Sequence, residues 1–107
     1  SKRLEQRKNE LMLILPDWKD AEKSDVFAEN FFPDNPIDTL KKYSKELFAK
    51  AGKNLVVKEM NAENQLRGSF IIEGEKINIE VYFTLSPENP ATIQAFTIKE
   101  MPKVKNK

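Results

Sequence analysis

The sequence has neither cysteine nor histidine among its 107 residues, and it has only three glycines. Without cysteine there is no disulfide, no thiolate nucleophile and no Cys-based zinc site. Without histidine the chain lacks the usual general base of enzymes and the commonest metal ligand. It also contains no Gly-x-Ser-x-Gly turn, no glycine-rich phosphate loop and no Ser-x-x-Lys motif. We therefore predict a non-catalytic chain with no catalytic residue, no cofactor and no metal site.

The net charge is small, because 18 basic residues are balanced by 17 acidic ones and the sum is +1. This balance argues against a nucleic-acid partner. The only local excess is Lys99, Lys103, Lys105 and Lys107, and we predict a solvated, frayed tail over residues 101–107. The longest purely apolar run, Leu11–Leu15, is too short to cross a bilayer, so we predict no membrane span. The absence of cysteine does not decide the cellular compartment, and the sequence is compatible with a homodimer.

The composition is that of a globular domain, with 39% hydrophobic and 33% charged residues. A chain of this length forms one domain with one core. Residues 1–16 show a helical pattern that Pro16 ends. Residues 17–52 are predicted to be helical, with Asp17 as the first cap and Ser24 as an alternative cap. A break precedes the last helix, which Gly52 ends in a left-handed conformation.

Residues 55–100 show the alternation of short strands. The predicted strands are Leu55–Met60, Leu66–Glu73, Lys76–Leu85 and Ala91–Glu100. Gly74 and Glu75 match a two-residue type II′ turn, which requires a positive φ at Gly74.

That turn sets the predicted register, which places Phe70 opposite Ile79 and Leu66 opposite Phe83 on an inner face. The odd-numbered residues from 77 to 85 then point towards the helices, and a one-residue slip would expose them all. On the other face, Arg67 is predicted to oppose Tyr82. In the last strand Ile93 and Phe96 differ in parity, so we expect a bulge or an outward-pointing side chain there.

Helices followed by hairpins predict an α+β fold, with N-terminal helices on one face of a curved four-stranded antiparallel meander. Two groups of residues are candidates for function. Six aromatic residues either form the core or line a pocket for a small apolar ligand between helices and sheet: Trp18, Phe31, Tyr43, Phe70, Phe83 and Phe96. Four residues of the outer sheet face form either cross-strand pairs or a partner surface: Arg67, Ile71, Glu80 and Tyr82.

The architecture resembles the nuclear-transport-factor-2-like and cystatin-like α+β superfold. The segments Phe27–Pro36, Leu66–Phe70 and Phe83–Pro90, with Ile93 and Gln94, resemble a small accessory domain that stands beside the catalytic domain in bacterial β-lactamase-related serine hydrolases. The resemblance covers residues 24–100.

It implies a non-catalytic accessory or interaction domain that packs on a linked or associated hydrolase domain, in the periplasm or outside the cell. Two alternatives stay open. One is a stand-alone protein that binds a small apolar ligand in its interior. The other is a histidine-free enzyme, which needs a carboxylate with a raised pKa in that cavity.

Overall fold

The computed structural model describes residues 2–103. Helices come first: α1 is Lys2–Ile14, α2 is Phe31–Asp34 and α3 is Ile37–Ala51. The strands follow: β1 Val56–Val57, β2 Asn61–Asn64, β3 Arg67–Glu73, β4 Asn78–Leu85 and β5 Ile93–Met101. The helices and one face of the antiparallel sheet contribute to one hydrophobic core. The α+β fold predicted from the sequence is therefore confirmed.

Helix α1 packs through the side that carries Leu4 and Leu11, both of which are fully buried. Arg7 lies between them and is only 4% exposed. Its Nε and Nη2 donate to the carbonyl oxygen of Ala91 at 3.0 and 2.8 Å, and its Nη1 donates to Glu10 at 2.7 Å. These bonds satisfy a buried guanidinium, and they tie the first helix to the loop before β5.

The predicted helix that begins at Asp17 is wrong. Trp18 and Asp20 adopt left-handed φ values of 58° and 59°, and only a short 3₁₀ helix, Ala21–Lys23, follows them. A left-handed residue with a Cβ costs about 1–2 kcal/mol. Burial of the indole offsets that cost, since Trp18 is 1% exposed and its Nε1 donates to Ser44 Oγ at 2.9 Å.

The next residues are extended rather than helical. Ala28 N donates to Ile93 O and Ile93 N donates to Val26 O, both at 2.8 Å, so Phe27 forms a parallel bridge with Ile93. The predicted alternative cap, Ser24, donates to a local carbonyl instead of capping a helix. Backbone pairing to β5 thus replaces the helical bonds that the sequence pattern suggests.

Helix α3 is close to its prediction. It starts after Pro36 and ends at Gly52, whose φ of 96° confirms the predicted helix stop. Its inward side chains are the buried residues Ser44, Leu47 and Ala51.

The sheet has β3 beside β4 and β4 beside β5, while β1 and β2 pair with opposite ends of β3. Of the predicted first strand, Leu55–Met60, only Val56–Val57 is a strand, and β2 begins after its predicted end. Val57 pairs with Ile72 of β3, and Asn61 pairs with Ser69 of β3. The two residues on the first side are four positions apart, whereas their two partners are three positions apart. One extra residue is accommodated between β1 and β2, as in a β-bulge.

The predicted two-residue turn between β3 and β4 is wrong. The loop has four residues, Gly74–Ile77, so Phe70 opposes Val81 rather than Ile79. The register therefore differs by two residues, which is one full period of side-chain alternation. For this reason the predicted inner face is still correct, and Ile79 and Val81 are both 0% exposed.

Two further residues depart from the predicted register. Gly68, not Leu66, opposes Phe83. Leu66 lies in the turn between β2 and β3, where 44% of it is exposed. On the outer face, Arg67 opposes Thr84 rather than the predicted Tyr82.

Gly74 is needed for space rather than for a positive φ, so that part of the prediction is also wrong. A Cβ at Gly74 would lie 2.6 Å from the carbonyl oxygen of Ile77 and 2.7 Å from both the Cβ and the carbonyl oxygen of Ala51. The backbone N–H of Glu75 donates to that same Ala51 oxygen at 2.7 Å. The hairpin loop therefore lies directly against the end of α3.

The parity change in β5 is resolved by the predicted bulge. Leu85 pairs with Ile93 and Thr84 pairs with Ala95, which leaves Gln94 as the extra residue. Ile93 and Phe96 are both buried, at 0% and 6% exposure.

Of the four lysines in the basic excess, Lys99 precedes the predicted tail, and Lys103, which lies within it, is hydrogen-bonded rather than frayed. Lys99 lies in β5 and pairs with Glu80 at 3.2 Å, and Lys103 donates to the carbonyl of Gly74. Lys105 and Lys107 lie outside the described residues.

The Glu75 carboxylate connects the hairpin loop to the residues after α3. It accepts hydrogen bonds from the backbone N–H of Lys53 at 3.1 Å and from the Asn54 amide at 2.9 Å. These bonds, the one from Lys53 first, hold the pKa of Glu75 below its usual value.

We therefore expect Glu75 to contribute to the loss of stability in acid. Its folded pKa is lowered, so its contribution is present above the unfolded pKa of about 4.3 and is lost as the pH falls through the folded pKa. In urea unfolding at neutral and acid pH, Glu75→Gln should reduce the acid-induced fall in unfolding free energy. Glu22→Gln, which removes an exposed carboxylate from the 3₁₀ helix, is the control against which the profile of Glu75→Gln is compared. Equal pH profiles for the native chain and Glu75→Gln would contradict this role.

Candidate functional site

Five of the six aromatic residues predicted to line a pocket are buried in the core: Trp18, Phe31, Phe70, Phe83 and Phe96, none more than 6% exposed. The sixth, Tyr43, is on the outer side of α3 and is 42% exposed. The structure thus brings five of the residues into one core and leaves Tyr43 outside it.

The core aromatics pack edge to face and in tilted pairs around Phe31. Its ring centroid lies 4.6 Å from that of Phe27 and 5.0 Å from that of Phe32. Trp18 stands edge-on to Phe96 at 5.2 Å. Phe27 and Phe32 were not among the predicted candidates, although their placement beside Phe31 in the sequence was a usable signal. These buried rings contact one another, and such contacts add about 0.5–1.5 kcal/mol per pair beyond area burial.

A groove of about 500 Å³ lies outside this core, between α3 and the end of β5. Tyr43 and Lys50 line one side, and Glu100 lines the other. The Lys50 Nζ donates to Glu100 Oε1 at 2.8 Å, and this hydrogen bond raises the pKa of Lys50. Both partners are substantially exposed, so the pair contributes little to stability.

The four residues predicted as a partner face do share the outer face of the sheet. Ile71 opposes Glu80, and Tyr82 lies between Ser69 on β3 and Thr97 on β5. Arg67 is at the margin, where its side chain is 54% exposed and its Nε lies 3.4 Å from Glu63 Oε1.

Side chains on this outer face are short hydroxyls, two large apolar groups and a few charges. Ile71, Glu80 and Tyr82 are only partly exposed, and no helix among residues 2–103 is described over them. The face consists of Ser69, Ile71, Glu73, Asn78, Glu80, Tyr82, Thr84, Ala95, Thr97 and Lys99. The Glu80–Lys99 pair neutralises its two central charges. The outcome is a surface that is nearly neutral at its middle.

Other exposed apolar residues were not singled out by the sequence. Leu13 on α1 is 88% exposed, and Val56 and Val57 on β1 are 52% and 40% exposed. The two valines read as an ordinary strand, because sequence alternation does not tell an edge strand from a central one.

Polar groups in the interior are few and bonded. Within residues 2–103 the buried polar side chains are Arg7, Ser44 and Ser86, and none is a carboxylate. The same residues include no cluster of three acidic side chains placed to hold a metal ion. No helix in this range is both long and apolar enough to span a bilayer.

No protein-family model matches the chain, and neither a curated protein nor a solved structure shows significant similarity to it.

Proposed function

We propose that this chain is a non-catalytic interaction domain whose outer sheet face packs on a bacterial serine hydrolase domain of the β-lactamase-related class, either linked to it or associated with it. The observation that carries the proposal is the uncovered outer face around Ile71 and Tyr82. The resemblance of residues 24–100 to accessory domains of such hydrolases supplies the class of partner.

The chemistry of the outer face supports a protein partner. Interfaces are enriched in tyrosine and depleted of charge at their centres, and they have polar rims. Here Tyr82 and Ile71 are central, and the two central charges, Glu80 and Lys99, neutralise each other as an ion pair. Arg67 is at the margin. A β-sheet face of this kind suits a large folded partner better than a small molecule, which binds in a concave site.

The packed interior favours this proposal over an interior ligand pocket. Five of the six candidate lining residues are buried against one another or against the sheet, and the indole of Trp18 has its hydrogen-bond acceptor in Ser44. A ligand in this space would have to displace packed side chains, which costs several kcal/mol for each large group.

The proposed class of partner also sets the proposed location. Accessory domains of this type belong to exported hydrolases, so we propose a periplasmic or extracellular site of action. A chain without cysteine is compatible with an oxidising compartment.

Thiol labelling tests the interface, because the natural chain contains no cysteine. First, the coding sequence on both sides should show a hydrolase domain with a Ser-x-x-Lys motif, in the same reading frame or an adjoining gene. Thr97→Cys is then labelled in the chain alone and in the presence of that domain. Thr97 is exposed on the outer face, so its labelling should be at least about tenfold slower in the complex, as expected for a residue that an interface buries.

Lys45→Cys is the matched control, since Lys45 is exposed on α3, on the other side of the sheet. It should be labelled at the same rate in both samples. An unchanged rate at Thr97→Cys, or the absence of an encoded hydrolase, would rule out the proposed function.

A further inference from the structure

Strand β1 leaves one edge of the sheet open. Val56 pairs with Glu73 and Val57 with Ile72, both on β3, and no other strand in the described part of the chain pairs with β1. Both valines are exposed, at 52% and 40%. A surface depression of about 450 Å³ runs along residues 56–59. An open edge with exposed β-branched residues is a template for a further strand.

The hydrogen bonds to β3 decide which backbone groups are free at this edge. Lys58 N donates to Ile71 O at 2.8 Å, so Lys58 directs its N–H towards β3. The backbone N–H and C=O groups of successive residues in an antiparallel strand point to alternate sides. Val56, two residues before Lys58, therefore also points its backbone groups towards β3. Leu55 and Val57 then direct theirs away from the sheet, where a second strand can bond them.

We propose that β1 is a dimerisation edge, on which β1 of a second copy of this chain pairs antiparallel about a two-fold axis at Val56. In this register Leu55 of one copy and Val57 of the other exchange both backbone hydrogen bonds, and symmetry repeats the exchange. The interface is isologous, as in most homodimers. It lies at the edge of the sheet, so it is separate from the outer face assigned to the hydrolase partner.

The side chains along the strand complement themselves in this register. Val56 meets Val56 on the outer side, because its partner on β3, Glu73, belongs to the outer face. Leu55 meets Val57 on the other side. Beyond the two residues of β1, exposed Lys53 of one copy comes near exposed Glu59 of the other, which gives two opposite-charge contacts by symmetry.

The next allowed register keeps only one apolar match, that of Val57 with its own copy. A shift that puts Val57 opposite Val57 sets Leu55 against Glu59 and Val56 against Lys58. Apolar groups then face charges, and the opposite-charge pair at the ends is lost. Charge complementarity together with apolar matching therefore selects the two-fold axis at Val56. Because the open edge is short, the dimer is of the weak class that buries less than about 1,200 Å².

Cross-linking tests this geometry directly. Val56 on the axis forms a non-hydrogen-bonded pair with its own copy, with a Cα separation of about 4.5 Å, and disulfides span Cα separations of about 4.4–6.8 Å. Val56→Cys should therefore give a disulfide-linked dimer on mild oxidation at least about tenfold faster than Leu13→Cys, because pairing raises the effective concentration. Leu13 is the control because it is 88% exposed and lies on α1 rather than on β1.

Charge reversal tests the register in sedimentation experiments on the chain. Lys53→Glu and Glu59→Lys should each weaken the dimer about tenfold, since each removes two opposite-charge pairs and places like charges together. The double variant Lys53→Glu/Glu59→Lys should restore the native dissociation constant. A chain that stays monomeric at all concentrations, a dimer insensitive to both reversals, or equal cross-linking of the two cysteine variants would each overturn the proposal.

Discussion

Replacing Phe83 with alanine should lower the free energy of unfolding by about 3–5 kcal/mol. The ring is 0% exposed and lies on the inner face of the central strand β4, opposite Gly68 on β3 and Phe96 on β5. Gly68 has no side chain that could relax into the space, so a cavity would remain. Urea unfolding followed by the fluorescence of Trp18, the one tryptophan in the chain, gives the measurement.

Tyr82→Ala is the matched control for Phe83→Ala, because it removes an aromatic side chain from the neighbouring position on the outer face. It should cost about 1 kcal/mol, the weight of cross-strand pairing at a partly exposed position. A loss below about 1 kcal/mol for Phe83→Ala would place that ring at the surface and contradict the inner face of the sheet.

Gly74→Val should lower the free energy of unfolding by about 3 kcal/mol, at the upper end of the usual cost of overpacking. The reason is crowding, since the first side-chain carbon alone would meet the carbonyl oxygens of Ile77 and Ala51 at 2.6 and 2.7 Å. Relief of these contacts requires the hairpin loop to leave the end of α3, and that movement breaks the bond from Glu75 N to Ala51 O.

Lys76→Val introduces the same side chain two residues along the same loop, at an exposed position, and should change the unfolding free energy by less than about 0.5 kcal/mol. Equal stability of Gly74→Val and the native chain would show that the loop does not contact α3 closely.

The inner face of the sheet could be predicted from the sequence because it depends only on parity. Ile79, Val81 and Phe83 alternate with polar residues, and a register error of two residues leaves that alternation unchanged. The length of the loop could not be predicted, because Gly74 suits a tight turn equally well in the sequence. Its actual role depends on Ala51, a neighbour 23 positions earlier in the chain.

Residues 17–30 show where local pattern fails. Apolar residues at helical spacing suggested a helix, but Trp18 reaches the core from a left-handed conformation and Phe27 pairs with Ile93 on β5. Both features are tertiary contacts that local propensity does not contain. The residues of the outer face could be predicted because they alternate with those of the inner face. The open edge at β1 could not be predicted, because it depends on which strands lie side by side.

The bonds from Arg7 to Ala91 have a consequence for where this domain can be cut. The proposed resemblance to accessory domains rests on residues 24–100, yet Leu4, Leu11 and Trp18 belong to the hydrophobic core and precede that range. We therefore expect the cooperative folding unit to be larger than residues 24–100. An excised fragment of residues 24–100 would leave Ala91 without its guanidinium partner and the aromatic interior open to water.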